Sequence, residues 1–526
     1  MKGKNVRRFS FVLFLFVAAI FLIGCGSTPE ASKRVPFVEG QEYTLKVLHT
    51  NDHHGALLPN GGLAGIAERS TFINQVRNQG GNLLVLDAGD INAGPALSNY
   101  FKAMVDIRAY NMIGYDAVTM GNHEFDGDML LLEEQIAFAE FPWLSANITR
   151  SNGKYLDEAY IIRDFDGFRV GVFGLTTLRT KVIASPDKSL IFKDEIETAK
   201  QMVDELRSKS CDVIILLGHL GTTLETAEQN TSIKLAEAVT GIDLIIDGHS
   251  HTYFDKPQYV NGTPIVSANE WGKFMGEGVF TIVNGSVTGF SWKPVAINTK
   301  DNIVFEADPA ISAMIAPYKA EADALLDQVV GEATALFEQN GNLSRRHETA
   351  LGNMVNDGAM WYFRDHLGKD VDFAFTNGGN IRAELRPGNI TRGDLTTVLA
   401  FDNWAFLMTM NGKQLVSLME FIASINQGAG GFAQVSKEIR YTIDYSSGKG
   451  VLKDLTIHGK PVDPNKEYTF VTNDYLMGGG DGYIALADNV GSYNTSITLR
   501  DAVIDYVIAT KVLTPKLDGR ITIIGQ

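Results

Sequence analysis

Five short clusters of Asp, Asn and His hold most of the chemistry that this sequence can offer. They are Asp52-His53-His54, Asp87-Ala88-Gly89-Asp90, Gly121-Asn122-His123-Glu124-Phe125-Asp126, Gly218-His219 and Asp247-Gly248-His249-Ser250-His251. Imidazole, carboxylate and amide donors without cysteine suit Zn²⁺, Mn²⁺, Fe or Co rather than a thiolate site. The donors outnumber the needs of one ion, which points to a two-metal centre sharing a carboxylate. Two cations ~3.5–4 Å apart can clamp the attacking and leaving oxygens of an in-line phosphoryl displacement. Of the 10 histidines, seven (His49, His53, His54, His123, His219, His249, His251) fall in or beside these clusters, which scattered surface or core histidines would not do.

Each cluster follows a short apolar run: Leu45–Leu48, Leu83–Leu86, Ala117–Met120, Val213–Leu217 and Leu244–Ile246. Two further runs, Val170–Phe173 and Ile265–Val266, complete the set. Nearly continuous apolar runs read as strands buried on both faces, and Ala64–Arg77 and Glu195–Arg207 read as intervening helices. The pattern predicts a layered α/β domain. Ligand sites in open α/β sheets assemble beyond the carboxyl ends of the strands, so five clusters at five strand ends can meet in one crevice.

The length of 526 residues calls for two domains, since single cores stop growing near ~250–300 residues. Asp308 and Pro309 can start a boundary helix, with Ile311, Met314, Ile315, Tyr318, Ala322, Leu325, Leu326 and Val329 on one apolar face and Pro317 as a kink. Beyond it, a helix at Leu351–Arg364 and strands at Asp372–Thr376, Ile439–Ile443 and Tyr468–Thr472 suggest a smaller α+β domain. The predicted division is 1–24 leader, 25–42 tether, 43–305 first domain, 306–335 linker helix and 336–526 second domain.

A formal charge of −16 repels a phosphate backbone and argues against nucleic-acid binding. Small anions remain candidates where local positive charge receives them. Lys2, Lys4, Arg7 and Arg8 precede the apolar stretch Phe9–Ile23, which is short for a spanning helix and suits a signal peptide. Leu22-Ile23-Gly24-Cys25 resembles a bacterial lipobox, so Cys25 is the expected lipidation site and the membrane the expected partner of that anchor. With Cys211 as the one other cysteine there is no disulfide framework, and Cys211 reads as a small core residue.

The motifs Leu48–Gly55 (LHTNDHHG), Asp87–Asp90 (DAGD), Gly121–Asp126 (GNHEFD), Gly218–His219 and Gly248–His251 (GHSH) resemble the metallophosphoesterase domain of the 5′-nucleotidase family. Leu351-Gly352-Asn353, Asn377–Arg382 (NGGNIR) and Gly478–Tyr483 (GGGDGY) are similar to that family's C-terminal substrate-binding domain. The resemblance implies two divalent metal ions, Zn²⁺, Mn²⁺ or similar. Asp52, His54, Asp90 and His251 would hold one, and Asp90, Asn122, His219 and His249 the other, with Asp90 bridging. His251 departs from many relatives, which carry Gln or Asn there. His123 and Asp126 would form a catalytic dyad with Asn122 beside it. Arg345, Asn377 and Arg382 would bind phosphate, Phe401 and Tyr475 would sandwich a nucleobase, and Asp481 would accept hydrogen bonds from ribose hydroxyls. His53 and Arg386 have no matched role, while His49, His347, His366 and His458 read as structural. Asn380 stands where many relatives have glycine.

The implied reaction is hydrolysis of a nucleoside 5′-monophosphate by a metal-activated water. The same fold and site serve 2′,3′-cyclic-nucleotide phosphodiesterases and UDP-sugar diphosphatases. A nucleoside-binding surface lipoprotein is the non-enzymatic alternative.

Overall fold

The apolar runs divide between two sheets. In the computed structural model, which describes residues 35–525 except 61–62, 93, 185, 224–228, 300, 402 and 488, each of the first domain's large sheets has six strands. The leader, Cys25 and most of the tether lie outside the described residues. Among the described residues, no helix is long and apolar enough to cross a membrane.

One sheet runs, in spatial order, Ser286–Ala296, Phe274–Val283, Glu42–Thr50, Asn82–Asp87, Ala117–Thr119 and Trp143–Leu144. The other runs Gln258–Val260, Thr263–Val266, Leu244–Asp247, Val213–His219, Phe168–Thr176 and Tyr160–Phe165. Their centres are parallel, as continuous apolar runs require. Between the sheets lie Leu45, Val47, Leu84, Leu86, Val172, Ile215, Leu217 and Ile246, all essentially without solvent exposure. Each such side chain contributes ~1.5–3 kcal/mol by leaving water. Helices cover both outer faces, Ile66–Asn78 and Met104–Ile113 on one and Glu195–Ser208 on the other.

The two long antiparallel strands at the sheet edge carry no continuous apolar run and so do not follow from the pattern that marks the others. Phe274–Val283 alternates buried with half-buried residues, and Asn284 and Gly285 both take positive φ (52° and 71°). That pair closes a two-residue hairpin of the kind that asparagine–glycine favours, so the signal was present as a period of two.

Helix Pro309–Leu326 begins as the sequence predicts, with Asp308 accepting from the amides of Ala310 and Ile311. Its Ile311, Ile315 and Ala322 pack into the cluster that covers the first sheet. The second domain is built on a five-stranded sheet, Ala433–Val435, Phe373–Asn377, Glu467–Asn473, Trp404–Asn411 and Gly491–Thr498, with smaller sheets beside it. Helix Ala350–Met360 widens into a π-helical turn at Trp361–His366 instead of running straight to Arg364.

Candidate metal centre

Strands from both sheets end at one rim. Glu42–Thr50, Asn82–Asp87 and Ala117–Thr119 deliver their clusters from the first sheet, while Val213–His219 and Leu244–Asp247 deliver theirs from the second. The donor atoms form adjoining groups: Asp52, His54 and His251; Asp52, Asp90 and His219; and His54, Asp90 and His123, with the atoms of each group all within 4.8 Å of one another. Asp52, His54 and Asp90 are each shared between two groups. His219 Nε2 stands 3.0 Å from Asp90 Oδ2 and 3.2 Å from Asn122 Oδ1, and His249 Nδ1 stands 2.8 Å from the same amide oxygen. On the other side His54 Nε2 is 3.8 Å from Asp90 Oδ2 and 3.0 Å from His251 Nε2. All seven residues named as ligands from the sequence are therefore brought together, around Asp90.

Backbone geometry singles out the same positions. Asp52, His54, Asp90, His249 and His251 adopt φ of 50°, 44°, 60°, 77° and 51°. Left-handed conformations cost non-glycine residues energy and collect where function over-determines them. Here they turn five donors inward from the strand ends.

Neighbouring groups aim the rings. His219 Nδ1 donates to the Ala88 carbonyl at 2.8 Å, leaving Nε2 as the lone-pair nitrogen, as metal-binding imidazoles require. Burial disfavours charge on His219 and His123, yet the carboxylates around them hold both imidazoliums up to about 10. Burial likewise opposes charge on Asp90, but His219 and His123 hold it well below the usual carboxylate range. The carboxylate cluster thus demands positive charge that, without cations, the histidines must supply. The donor set fits two divalent cations.

His123 stands apart from the fully buried donors Asp90 and His219. Its side chain and that of Asp126 are 35% and 32% exposed, and its Nδ1 pairs with Asp126 Oδ2 at 2.5 Å. The dyad is therefore partly open to solvent, with Asp126 on the Nδ1 side of the ring. His53 is fully buried between Asp106 (2.9 Å) and Arg69 (2.7 Å), and His49 Nε2 accepts the Trp292 indole N–H, so both rings are engaged by neighbours in the domain interior. Cys211 is a buried core residue.

Two residues escaped the sequence reading. Glu124, inside GNHEFD, accepts the amides of Asp90, Ile91, Asn92 and Gly121 and clamps two ligand loops together. Glu270 follows strand Thr263–Val266, a sixth strand end that could have been inspected. It accepts from His251 Nδ1 at 2.5 Å and pairs with Lys273 at 2.7 Å. The His251 hydrogen bond, ahead of Lys273, pulls its pKa to about 2. Supporting groups of this kind are worth ~10–100-fold in metal affinity. Glu270→Gln is therefore expected to weaken one of two metal-binding steps by that factor in a chelator-competition titration. Unchanged affinity would remove Glu270 from the site.

The second domain presents its residues from neighbouring turns. Turns Leu343–Arg345 and Gly378–Asn380 pack on each other, and Arg345 Nε is buried without a hydrogen-bond partner, a donor held ready for an acceptor. Asp481 accepts from Asn377 Nδ2 at 2.9 Å and from the Tyr475 hydroxyl at 3.1 Å. Phe401 and Tyr475 are 50% and 44% exposed, large rings left open to solvent. The Arg382 guanidinium lies 5.6 Å from the Phe401 ring centroid. Asn380 does not adopt a positive φ; it is buried and accepts from Asn403. The Trp404 indole N–H, from the same loop as Phe401, donates to the Asp126 carbonyl at 2.5 Å. This contact brings the aromatic loop to the edge of the metal centre.

Residues 45–253 match the calcineurin-like phosphoesterase family, and residues 329–488 match the 5′-nucleotidase C-terminal domain. The chain is 31% identical to a 5′-nucleotidase of Vibrio cholerae, over 93% of this chain and 94% of that protein. It is 32% identical to Protein UshA of Yersinia enterocolitica, over 90% and 92% of the two chains. The crystal structure of a 5′-nucleotidase precursor from Thermus thermophilus superposes with a TM-score of 0.66 at 30% identity, covering 92% of this chain and all 100% of that one.

Proposed function

Because the chain belongs to the 5′-nucleotidase family of calcineurin-like phosphoesterases, and is a phosphoric ester hydrolase with two divalent cations as cofactors, we propose that it hydrolyses nucleoside 5′-monophosphates to nucleoside and phosphate. The observation that carries this reading is Asp90, shared between two donor groups whose mouth holds the half-exposed His123–Asp126 dyad.

When bound, the cations lower the pKa of a coordinated water toward ~7 and draw charge from the phosphoryl oxygens. Asp52, His54, Asp90 and His251 would hold one cation, and Asp90, Asn122, His219 and His249 the other. The protein's own groups do the rest. Asp126 fixes the His123 tautomer through Nδ1, so Nε2–H donates to a phosphoryl oxygen as negative charge grows on it. Arg345 and Arg382 receive phosphate oxygens through planar, permanently charged forks. Phe401 and Tyr475 sandwich the base, and the remaining lone pairs of Asp481 accept from the ribose hydroxyls. Water's oxygen bonds to phosphorus, the P–O5′ bond breaks, and water's proton ends on the O5′ of the departing nucleoside.

The proposal extends to organisation. The leader 1–24 is removed, Cys25 is acylated, and the tether 25–42 places the enzyme outside the cytoplasm on a membrane. The linker 306–335, which holds helix Pro309–Leu326 and ends in strand Val329–Ala333, divides the metal domain, 43–305, from the substrate domain, 336–526.

The test is product formation by protein starting after Cys25, chelated and then restored with Mn²⁺ or Zn²⁺: phosphate from AMP, UMP from UDP-glucose, and ring-opened adenosine monophosphate from 2′,3′-cyclic AMP. Metal-dependent turnover fastest on AMP is the expected result. Preference for another substrate keeps the site chemistry and changes the activity; absence of turnover in folded, metal-loaded protein overturns the enzyme reading.

A further inference from the structure

The Trp404 contact suggests a role beyond filling space. Its indole reaches the main chain of Asp126, a residue 278 positions earlier. Asp126 closes the one-turn helix His123–Phe125, and its carboxylate holds His123 Nδ1. The carbonyl that Trp404 engages therefore belongs to the peptide that sets where the Asp126 carboxylate points.

Trp404 is itself held. It begins strand Trp404–Asn411, and its backbone amide lies near enough to the Asp474 carboxylate to favour its charge, while Asp474 takes the Tyr475 amide at 2.8 Å. Burial, and then the facing Asp126 carboxylate, push Asp474 up to about 7. A carboxyl group held in so unfavourable a place by the backbone amides around it marks a junction whose geometry is specified. Phe401 lies three residues before Trp404 and Tyr475 follows Asp474, so both aromatic arms of the base site spring from the residues that hold the dyad.

The geometry points to Trp404 as a positioning residue: through its hydrogen bond to the Asp126 carbonyl, the substrate domain orients the His123–Asp126 dyad. The inference rests on the proposed hydrolysis, and concerns only how the dyad is held. Loss of one such hydrogen bond is worth ~1 kcal/mol or slightly more, close to tenfold in rate.

The test uses the chain starting after Cys25, loaded with Mn²⁺, with AMP and p-nitrophenyl phosphate as substrates. Trp404→Phe keeps the ring and removes the donor. The expected result is a ~10-fold fall in kcat on both substrates with KM for AMP little changed and metal content intact. Asp474→Ala should fall in the same way, while Asp474→Asn, which keeps an acceptor for the backbone amides around it, should retain several-fold more kcat than Asp474→Ala. A rise in KM for AMP alone, with the small ester untouched, would make Trp404 a wall of the base pocket and overturn the inference. Unchanged kinetics would overturn it too. If Trp404→Phe proves unstable on melting, the Asp474 pair decides: equal kcat in Ala and Asn overturns it. Wild-type turnover of p-nitrophenyl phosphate without turnover of AMP would sink the nucleotide reading while leaving this comparison readable on the small ester.

Discussion

Asp90→Asn is expected to lower AMP hydrolysis by more than ~10³-fold, beyond the ~10²–10³ that loss of one stabilising donor costs. Asp90 Oδ2 faces His219 at 3.0 Å and His54 at 3.8 Å, while Oδ1 accepts the His123 amide at 2.9 Å. Among the described residues it is therefore the carboxylate that touches both halves of the donor set and the dyad. An amide keeps the shape but removes the negative charge that two adjacent cations need between them. The fold should survive, because asparagine tolerates the φ of 60° at this position and Glu124 grips the loop through backbone amides. Elemental analysis should find fewer than two ions per chain with an unshifted thermal melt. Two tightly held ions and normal turnover in this variant would remove Asp90 as the bridge.

Tyr475→Ala should act on binding. Stacking of a base on an aromatic ring is worth ~1–3 kcal/mol, so KM for AMP should rise roughly 10- to 100-fold. Hydrolysis of p-nitrophenyl phosphate, which has no base or ribose, should stay within a few-fold of wild type. The alanine also frees Asp481 from the tyrosine hydroxyl, whereas Tyr475→Phe keeps the ring and breaks only that 3.1 Å contact. The phenylalanine variant should therefore recover most of the lost affinity. Equal losses on AMP and the small ester would show that Tyr475 shapes the metal centre rather than the nucleoside pocket.

How much was legible beforehand follows from where each signal resides. The strands were readable because burial on both faces writes a continuous apolar run, as in Val213–Leu217. The Asn284-Gly285 hairpin was equally local but carried a different period, and went unread. The candidate ligands were readable because Asp, Asn and His repeat at strand ends, where local order and chemistry coincide. Glu270 was not, since a lone glutamate beyond a strand has no pattern of its own; only the fold sets it against His251.

The family resemblance supplied the nucleotide-receiving roles expected of arginines and aromatics in a second domain; the residues by themselves determined the donor chemistry, an all-nitrogen-and-oxygen set at strand ends with donors enough for two cations. These properties belong to residue types and short spacings, which local order conveys. The tertiary structure alone decided that the ligands come from two facing sheets, that five of them sit in left-handed backbone, and that Trp404 meets Asp126. Those depend on packing between segments far apart in the chain, and sequence spacing places no constraint on the meeting of residues 278 positions apart.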